Sequence, residues 1–190
     1  IFLLKDGQHK KKNIEEILKN KKVIIFGLPG AYTSVCSAKH LPGYVNMYQQ
    51  FKDKGIDFII CMSVNDPFVM NAWGKENSVG DKIIMAGDPF LSFTKAIGAE
   101  VDKSTRGLGV RSNRYTMIVD DAKVVKLQEE GDTGTCEVSA AENFIELIVQ
   151  ECAKIADVER PSSLGCGYIT KTKGMLIRER FGVKEKTKNE

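Results

Sequence analysis

The sequence predicts an α/β fold in which a mixed central β-sheet carries helices on both faces. Three observations point there. Residues 23–26 and 57–64 are apolar runs separated by one helix-length segment, the pattern of parallel strands covered on both sides and joined by a right-handed crossover. A later pair of strand-like runs, residues 114–119 and 124–127, is separated only by a short polar turn, which makes an antiparallel hairpin. Apolar residues at helical spacing fall before, between and after these runs, giving the sheet helices to pack against.

The elements follow in order. Ile14, Ile17 and Leu18 place a helix over residues 13–19, and Lys21-Lys22 leads into the first buried strand. A helix over residues 37–54 stops at Gly55, and the second buried strand follows. After Asn65-Asp66-Pro67, the apolar residues Phe68, Val69, Ala72 and Trp73 mark a helix over residues 68–76; residues 82–86 form the third strand. Asp88-Pro89 caps a helix over residues 90–97 that ends near Gly98. Beyond the hairpin, Ser139-x-x-Glu142 has the form of a capping box, and Phe144, Ile145, Ile148 and Cys152 share one stripe of a closing helix expected to pack on the sheet. No internal repeat is present. Residues 1–160 thus read as one domain, and residues 161–190 as a basic extension whose Met175-Leu176-Ile177 patch is suited to docking.

Composition narrows the function. A chain of 190 residues buries roughly 70% of its unfolded surface and needs no disulfide scaffold. Five cysteines, an odd number without a C-x-x-C pair, point to a reducing compartment. The cytoplasm is the first expectation, with a mitochondrion or other organelle as the alternative, because the chain starts at Ile1 and would not show an upstream address. His9 and His40 are too few and too scattered for a metal cluster, and no apolar stretch approaches the roughly 20 residues of a membrane span. The net charge of +3 resides in the tail: between Lys171 and Glu190 lie seven basic and three acidic residues. Lys10-Lys11-Lys12 and Lys21-Lys22 lack interleaved aromatics, so nucleic acid is not an expected partner. Gly107-x-Gly109 lacks the third glycine of a dinucleotide loop, which argues against NAD or FAD.

The most informative segment runs from Ile24 to Cys36. An apolar strand passes through a Pro/Gly turn to a hydroxyl residue and then a cysteine, placing a thiol at the start of a helix. The first N–H groups of a helix are unpaired inside it and together carry about half a positive charge, so a thiolate is favoured there. Thr33, three residues earlier, has a hydroxyl able to accept from a helix N–H or to donate to the thiolate or a substrate. Pro29 fixes the turn and shields the sulfur, and Gly30 lets a backbone come close.

Pro29-x-x-x-Thr33-x-x-Cys36, followed by Ser37-Ala38-Lys39-His40-Leu41-Pro42-Gly43-Tyr44, resembles the active site of the peroxiredoxins, and within them the type 5, or type II, subfamily. The resemblance covers roughly residues 2–156. It implies a thioredoxin-like fold and a thiol-dependent peroxidase that reduces hydrogen peroxide and small alkyl hydroperoxides without metal, haem or flavin. Cys36 is then the peroxidatic cysteine, cycling through a sulfenic acid. Attack on a peroxide also needs a positive charge that is not lost at working pH, because negative charge moves onto the leaving oxygen. The family's Arg-aromatic-Ser/Thr-Met pattern falls on Arg114-Tyr115-Thr116-Met117, with Arg111 as the competing choice.

For recycling, the residues leave three routes open. Asp132-Thr133-Gly134-Thr135-Cys136 resembles the second-cysteine loop of animal type 5 enzymes, and its composition suits an exposed, mobile loop. Cys61 instead matches the second cysteine of plant type II enzymes, but lies in an all-apolar strand where an inert core thiol is expected. Direct reduction by an external thiol requires neither. Cys136 is the modestly favoured candidate; Cys152 is read as packing. The implied reductants are thioredoxin or glutaredoxin/glutathione. A homodimer is expected, and Trp73 or Phe90 suits either its interface or the helix–sheet core. The competing function is a redox sensor in which oxidation of Cys36 controls a partner; a thioredoxin-type oxidoreductase is disfavoured because no cysteine lies three residues from Cys36.

Overall fold

The computed structural model describes residues 1–158, with side chains to residue 150. It opens on a hairpin of β1 (Phe2–Lys5) and β2 (Gln8–Lys11), followed by α1 (Ile14–Leu18) and β3 (Lys22–Leu28). A π-helical turn, Cys36–His40, runs into α2 (Leu41–Asn46) and α3 (Tyr48–Asp53). Next come β4 (Phe58–Ser63), α4 (Pro67–Glu76), β5 (Ile83–Gly87), α5 (Ser92–Ala96), β6 (Glu100–Asp102), a 3-10 turn (Ser104–Arg106) and β7 (Val110–Ser112). The chain continues through β8 (Tyr115–Asp120), β9 (Lys123–Glu129) and α6 (Ala141–Val158). Two units are distinguished, one ending at Glu142 and the other starting at Asn143. The expected extension, residues 161–190, and the packing of Cys152 lie outside the described side chains. Among the described residues no helix is long and apolar enough to cross a membrane.

The main sheet has the order β2-β1-β5-β4-β3-β8-β9; β3, β4 and β5 run parallel, while β1, β8 and β9 pair antiparallel to their neighbours. The expected mixed sheet is therefore present. Alternate residues divide its two faces. On one face Val23, Ile25, Ile60, Met62 and Tyr115 form a core with Leu18 of α1, and partly buried Phe93 and Ile97 pack against it. On the other, Phe26 stacks on Tyr44 of α2, with centroids 4.3 Å apart, and Tyr44 in turn stacks on Phe51 of α3. Helices thus cover both faces.

Two expectations need correction. The helix expected over residues 37–54 is interrupted, because Pro42 has no N–H to donate to the Ala38 carbonyl; the Leu41 N–H instead reaches back five residues to Cys36 O. The Ser139 capping box does not form: the Ser139 hydroxyl donates to Glu130 Oε1 at 2.7 Å, and α6 starts at Ala141. Of the two residues suited to a dimer face or the core, Trp73 takes the core, 1% exposed and donating from Nε1 to Ser37 Oγ at 3.0 Å, whereas Phe90 is 72% exposed. The β1–β2 hairpin and the small β6–β7 sheet were not anticipated; their short runs, such as Gln8–Lys11, carry too little apolar alternation.

Gly27 has a specific task. It pairs with Tyr115 across β3 and β8, and a β-carbon there would fall inside the Tyr115 ring. Gly27→Ala is expected to destabilise the fold by about 3 kcal/mol through overpacking, measured as a lower urea midpoint. An unchanged midpoint would show that the ring has room to move.

Candidate active site

The site is assembled where β3 ends. From Leu28 the chain turns through Pro29 and Gly30, and helical conformation begins at Ser34, with Ser37 N donating to Thr33 O at 3.0 Å. Cys36 therefore lies in the first helical turn, and its residue is fully buried. The left-handed residue of this turn is Tyr32, at φ +64°, and not Gly30. A β-carbon on Gly30 would meet only ordinary contacts, the closest being Thr33 Cγ2 at 3.4 Å, so protein packing does not demand glycine there. The Thr33 hydroxyl donates to Gly30 O at 2.9 Å, bracing the turn instead of capping the helix. Asn65, whose Oδ1 accepts from Ala31 N at 2.9 Å and Ser63 Oγ at 2.8 Å, ties the same turn to the end of β4.

Arg114 is brought to Cys36 from the first residue before β8. Its side chain shares a face with that of Thr116, on the side occupied by α2. It is 1% exposed, and Nη2 donates to Cys36 Sγ at 3.4 Å and to Thr133 O at 2.8 Å. Nη1 lies 3.1 Å from His40 Nδ1. Nε is buried with no partner, leaving its N–H free. Arg111 goes elsewhere, donating to Leu108 O at 2.8 Å and Val64 O at 3.3 Å. A permanent positive charge thus stands against the Cys36 sulfur, with both residues almost wholly buried.

What fixes Arg114 is a chain of groups that sequence reading did not identify. Since Arg114 is always a donor, His40 Nδ1 accepts, and Nε2–H donates to Ser139 O at 3.2 Å. The same carbonyl lies 2.9 Å from both Tyr44 Oη and Thr116 Oγ1. Ser139 is in turn held by Glu130, whose Oε1 accepts from Ser139 N at 2.9 Å, Ser139 Oγ at 2.7 Å and Glu137 N at 2.6 Å. Cys36, His40 and Tyr44 are spaced by four, one helical turn apart. That spacing, with an arginine waiting across the sheet, was the available signal. Glu130 offered none, since its partners lie seven and nine residues ahead in an irregular loop.

The electrostatics of this chain predict an acid sensitivity. Burial, and then the Arg114 charge, push His40 down to about 3, against an opposing pull from the Ser139 carbonyl. For Glu130 burial acts upward, but the hydrogen bonds from Ser139, Glu137 and Thr135 prevail and hold the carboxyl below its usual range. Both folded values lie below the unfolded ones, so stability is fully present above the unfolded pKa and declines as pH falls. For His40 the window opens near pH 6.5, where the unfolded chain begins to take up a proton that the folded one refuses; the slope is up to about 1.4 kcal/mol per pH unit. It closes as pH passes about 3 and folded His40 titrates too. Urea unfolding from pH 7 to pH 4 is expected to show this fall, and His40→Gln to flatten it. Equal slopes in the two proteins would refute it.

Among the described residues the other two cysteines, Cys61 and Cys136, are buried and unbridged. Cys61 lies in β4, paired with Phe26 of β3 and Met85 of β5, and burial followed by the nearby Cys36 charge raises its thiol well above the ordinary value. Cys136 is 3% exposed, which corrects the expectation of an exposed loop: Glu130 ties residues 135–139 back onto the fold. Its thiol is raised by burial, partly opposed by Arg114 and a bond to Ser139.

Beside Arg114 a cavity of about 90 Å³ opens to solvent, lined by Pro29, Thr33, Val35 and Thr133 among others. A water needs about 10–15 Å³, so the space suits a small molecule. The arrangement supplies a nucleophile in a helix start, a fixed cation, and a small entrance beside them.

Comparison with known proteins gives the family. The Redoxin family model matches residues 2–145. The chain is 40% identical to Peroxiredoxin-2B of Arabidopsis thaliana over 147 residues, covering 77% of this chain and 90% of that one. It is 45% identical over 129 residues to the mitochondrial Peroxiredoxin-2F of the same plant, covering 68% and 64%. Among solved structures, reduced Prx3 of Vibrio vulnificus in complex with H2O2 is similar at 41% identity and a TM-score of 0.74, covering 77% of this chain and 91% of that one.

Proposed function

The chain belongs to the redoxin family as a peroxiredoxin, a thiol-dependent peroxidase with a thioredoxin-like fold, and on that premise we propose that Cys36 is its peroxidatic thiol and Arg114 the cation that serves it. The observation that carries this reading is the 3.4 Å contact from Arg114 Nη2 to Cys36 Sγ, with Arg114 Nε left free. The thiolate attacks the terminal oxygen of the hydroperoxide; the S–O bond forms as the O–O bond breaks, and the sulfur is oxidised to the sulfenic acid. The departing alkoxide or hydroxide takes a proton and leaves as alcohol or water. Arg114 offers its free Nε–H to a peroxide oxygen and balances the charge that develops on the leaving one. Thr33 and Pro29 keep the turn rigid and the entrance narrow, and Gly30 leaves its approach unobstructed.

The sulfenic acid then condenses with a thiol, releasing water and forming a disulfide that a second thiol reduces. Thioredoxin or glutaredoxin/glutathione supplies the electrons. Cys136 is the internal candidate ahead of Cys61, because a loop held by Glu130 opens more readily than a central strand; an external thiol needs neither. The substrates are hydrogen peroxide and small alkyl hydroperoxides, in keeping with the 90 Å³ cavity. The compartment is the cytoplasm, or a mitochondrion as for the relative whose name says so. A homodimer through a face including Phe90 completes the proposal, as do the domain limits of residues 1–160 and 161–190.

The test is NADPH-coupled peroxide consumption with each reductant in turn. Sustained turnover is expected with at least one. A single reaction that then stops with every reductant would refute the recycling scheme.

A further inference from the structure

The cavity beside Arg114 has a lining that the peroxidase reaction by itself does not call for. Pro29, Val35 and Leu108 form an apolar wall, while Lys103 and Arg106 add two cations to Arg114. Lys103 and Arg106 come from one feature, the 3-10 turn Ser104–Arg106 and its flank, which the small β6–β7 sheet holds at the entrance. Lys103 N donates to Gly109 O at 2.9 Å, and Arg106 N to Lys103 O at 2.9 Å, so the turn is internally closed and presents both side chains from one base.

Among the described residues neither side chain forms an ion pair or hydrogen bond. The neighbouring acids are not paired with them. Asp102 is turned to the Ser104 N–H at 2.8 Å, and Asp132 accepts from the backbone N–H of Gly134. Hydrogen peroxide and simple alkyl hydroperoxides are neutral and gain nothing from two added cations. An organic anion gains from both, and cations at the mouth of a low-dielectric cavity raise its encounter rate.

We propose that Lys103 and Arg106 form a subsite for the carboxylate of an organic hydroperoxide, whose apolar carbon skeleton rests on Pro29, Val35 and Leu108 while its peroxide group reaches Cys36. The proposal rests on Cys36 being the reacting thiol. It makes the cavity selective for carboxylate-bearing hydroperoxides over neutral ones of the same shape. The chemistry is unchanged: the thiolate is oxidised to the sulfenic acid and the hydroperoxide is reduced to the hydroxy acid.

The experiment compares cumene hydroperoxide with its para-carboxylate, using the full chain and Lys103→Gln, Arg106→Gln and the double variant. Both residues are at the surface and outside the Cys36–Arg114 contact, so folding and neutral-substrate turnover should persist. Expected are a wild-type preference for the carboxylate in kcat/KM that declines with added salt and a loss of about tenfold for the carboxylate alone in the double variant. Equal rates for the two peroxides in wild type, or equal losses in the variant, would overturn the subsite and leave the peroxidase reading standing. No turnover of either peroxide by wild type would overturn both. A second arm holds the peroxide fixed and compares glutathione with its diethyl ester as reductant. A charge-dependent loss confined to that arm would assign the cations to the reductant and overturn the hydroperoxide assignment.

Discussion

Cys36→Ser is expected to reduce peroxide turnover by at least about a thousandfold with every peroxide and every reductant, because a hydroxyl at this position cannot be oxidised by a hydroperoxide and neither of the other two thiols among the described residues can take its place. Cys61 is enclosed between two strands and Cys136 is buried under the Glu130-held loop, and both thiols are raised by burial, so neither can replace Cys36 in attacking a peroxide in this fold. Serine is close to cysteine in shape and can accept from Arg114 Nη2, so the fold should be retained; circular dichroism checks this. The parallel variants separate the recycling routes. Loss confined to Cys136→Ser names Cys136 as the internal partner of the sulfenic acid, and loss confined to Cys61→Ser names Cys61. Retention of turnover in both leaves direct reduction by an external thiol. Substantial activity in Cys36→Ser would refute the assignment of the peroxidatic thiol.

Arg114→Lys carries the second large effect, a fall of about a hundredfold in the rate constant for oxidation of Cys36. Lysine keeps the charge but not the fork. Arg114 reaches His40, Thr133 and Cys36 at once from two nitrogens and keeps Nε–H for a fourth partner. An ammonium on a flexible stem cannot hold those directions together. The measurement is stopped-flow oxidation in a single turnover, which isolates this step from recycling. Arg111→Lys is the control: Arg111 donates from Nε to Leu108 O and from Nη1 to Val64 O and makes no bond to Cys36, so its rate should remain within a few-fold of wild type. Equal losses in the two variants would make Arg114 a merely structural cation. If Arg114→Lys unfolds, His40→Gln offers a milder displacement of the same guanidinium, and a rate loss without loss of fold would still support the assignment.

Much of this was readable before any coordinates. The apolar runs around Val23 and Ile59 named the parallel strands because strands covered on both faces have no need of alternation. Cys36 stood out because helix initiation follows from local residues: a Pro/Gly turn, a hydroxyl residue, then helix formers. The choice of Arg114 over Arg111 came from a family pattern and not from physics, since two arginines three residues apart are equivalent until the strand's alternation and register are known. The errors have causes of the same kind. The helix over residues 37–54 was drawn through Pro42, whose missing N–H forces the π-helical turn. Ser139 was given a local cap, but a buried carboxylate 9 residues away competes better for its N–H and hydroxyl. Cys136 was judged exposed by its polar neighbours, although those neighbours are the groups that fasten the loop down.

The sequence by itself determined the parallel strands, the hairpin, the thiol at a helix start and the family, because each is legible within a stretch of a few tens of residues, whereas the pairing of β3 with β8 that joins them spans Lys22 to Asp120. Only the tertiary structure decided that Cys36, Arg114, His40, Ser139 and Glu130 form one connected chain, and that Lys103 and Arg106 stand at its entrance. Those groups come from separate elements, and their meeting depends on the register of β8 against β3 and on where loops cross. A one-residue slip in that register would turn Arg114 to the opposite face of the sheet and leave Tyr115 in its place.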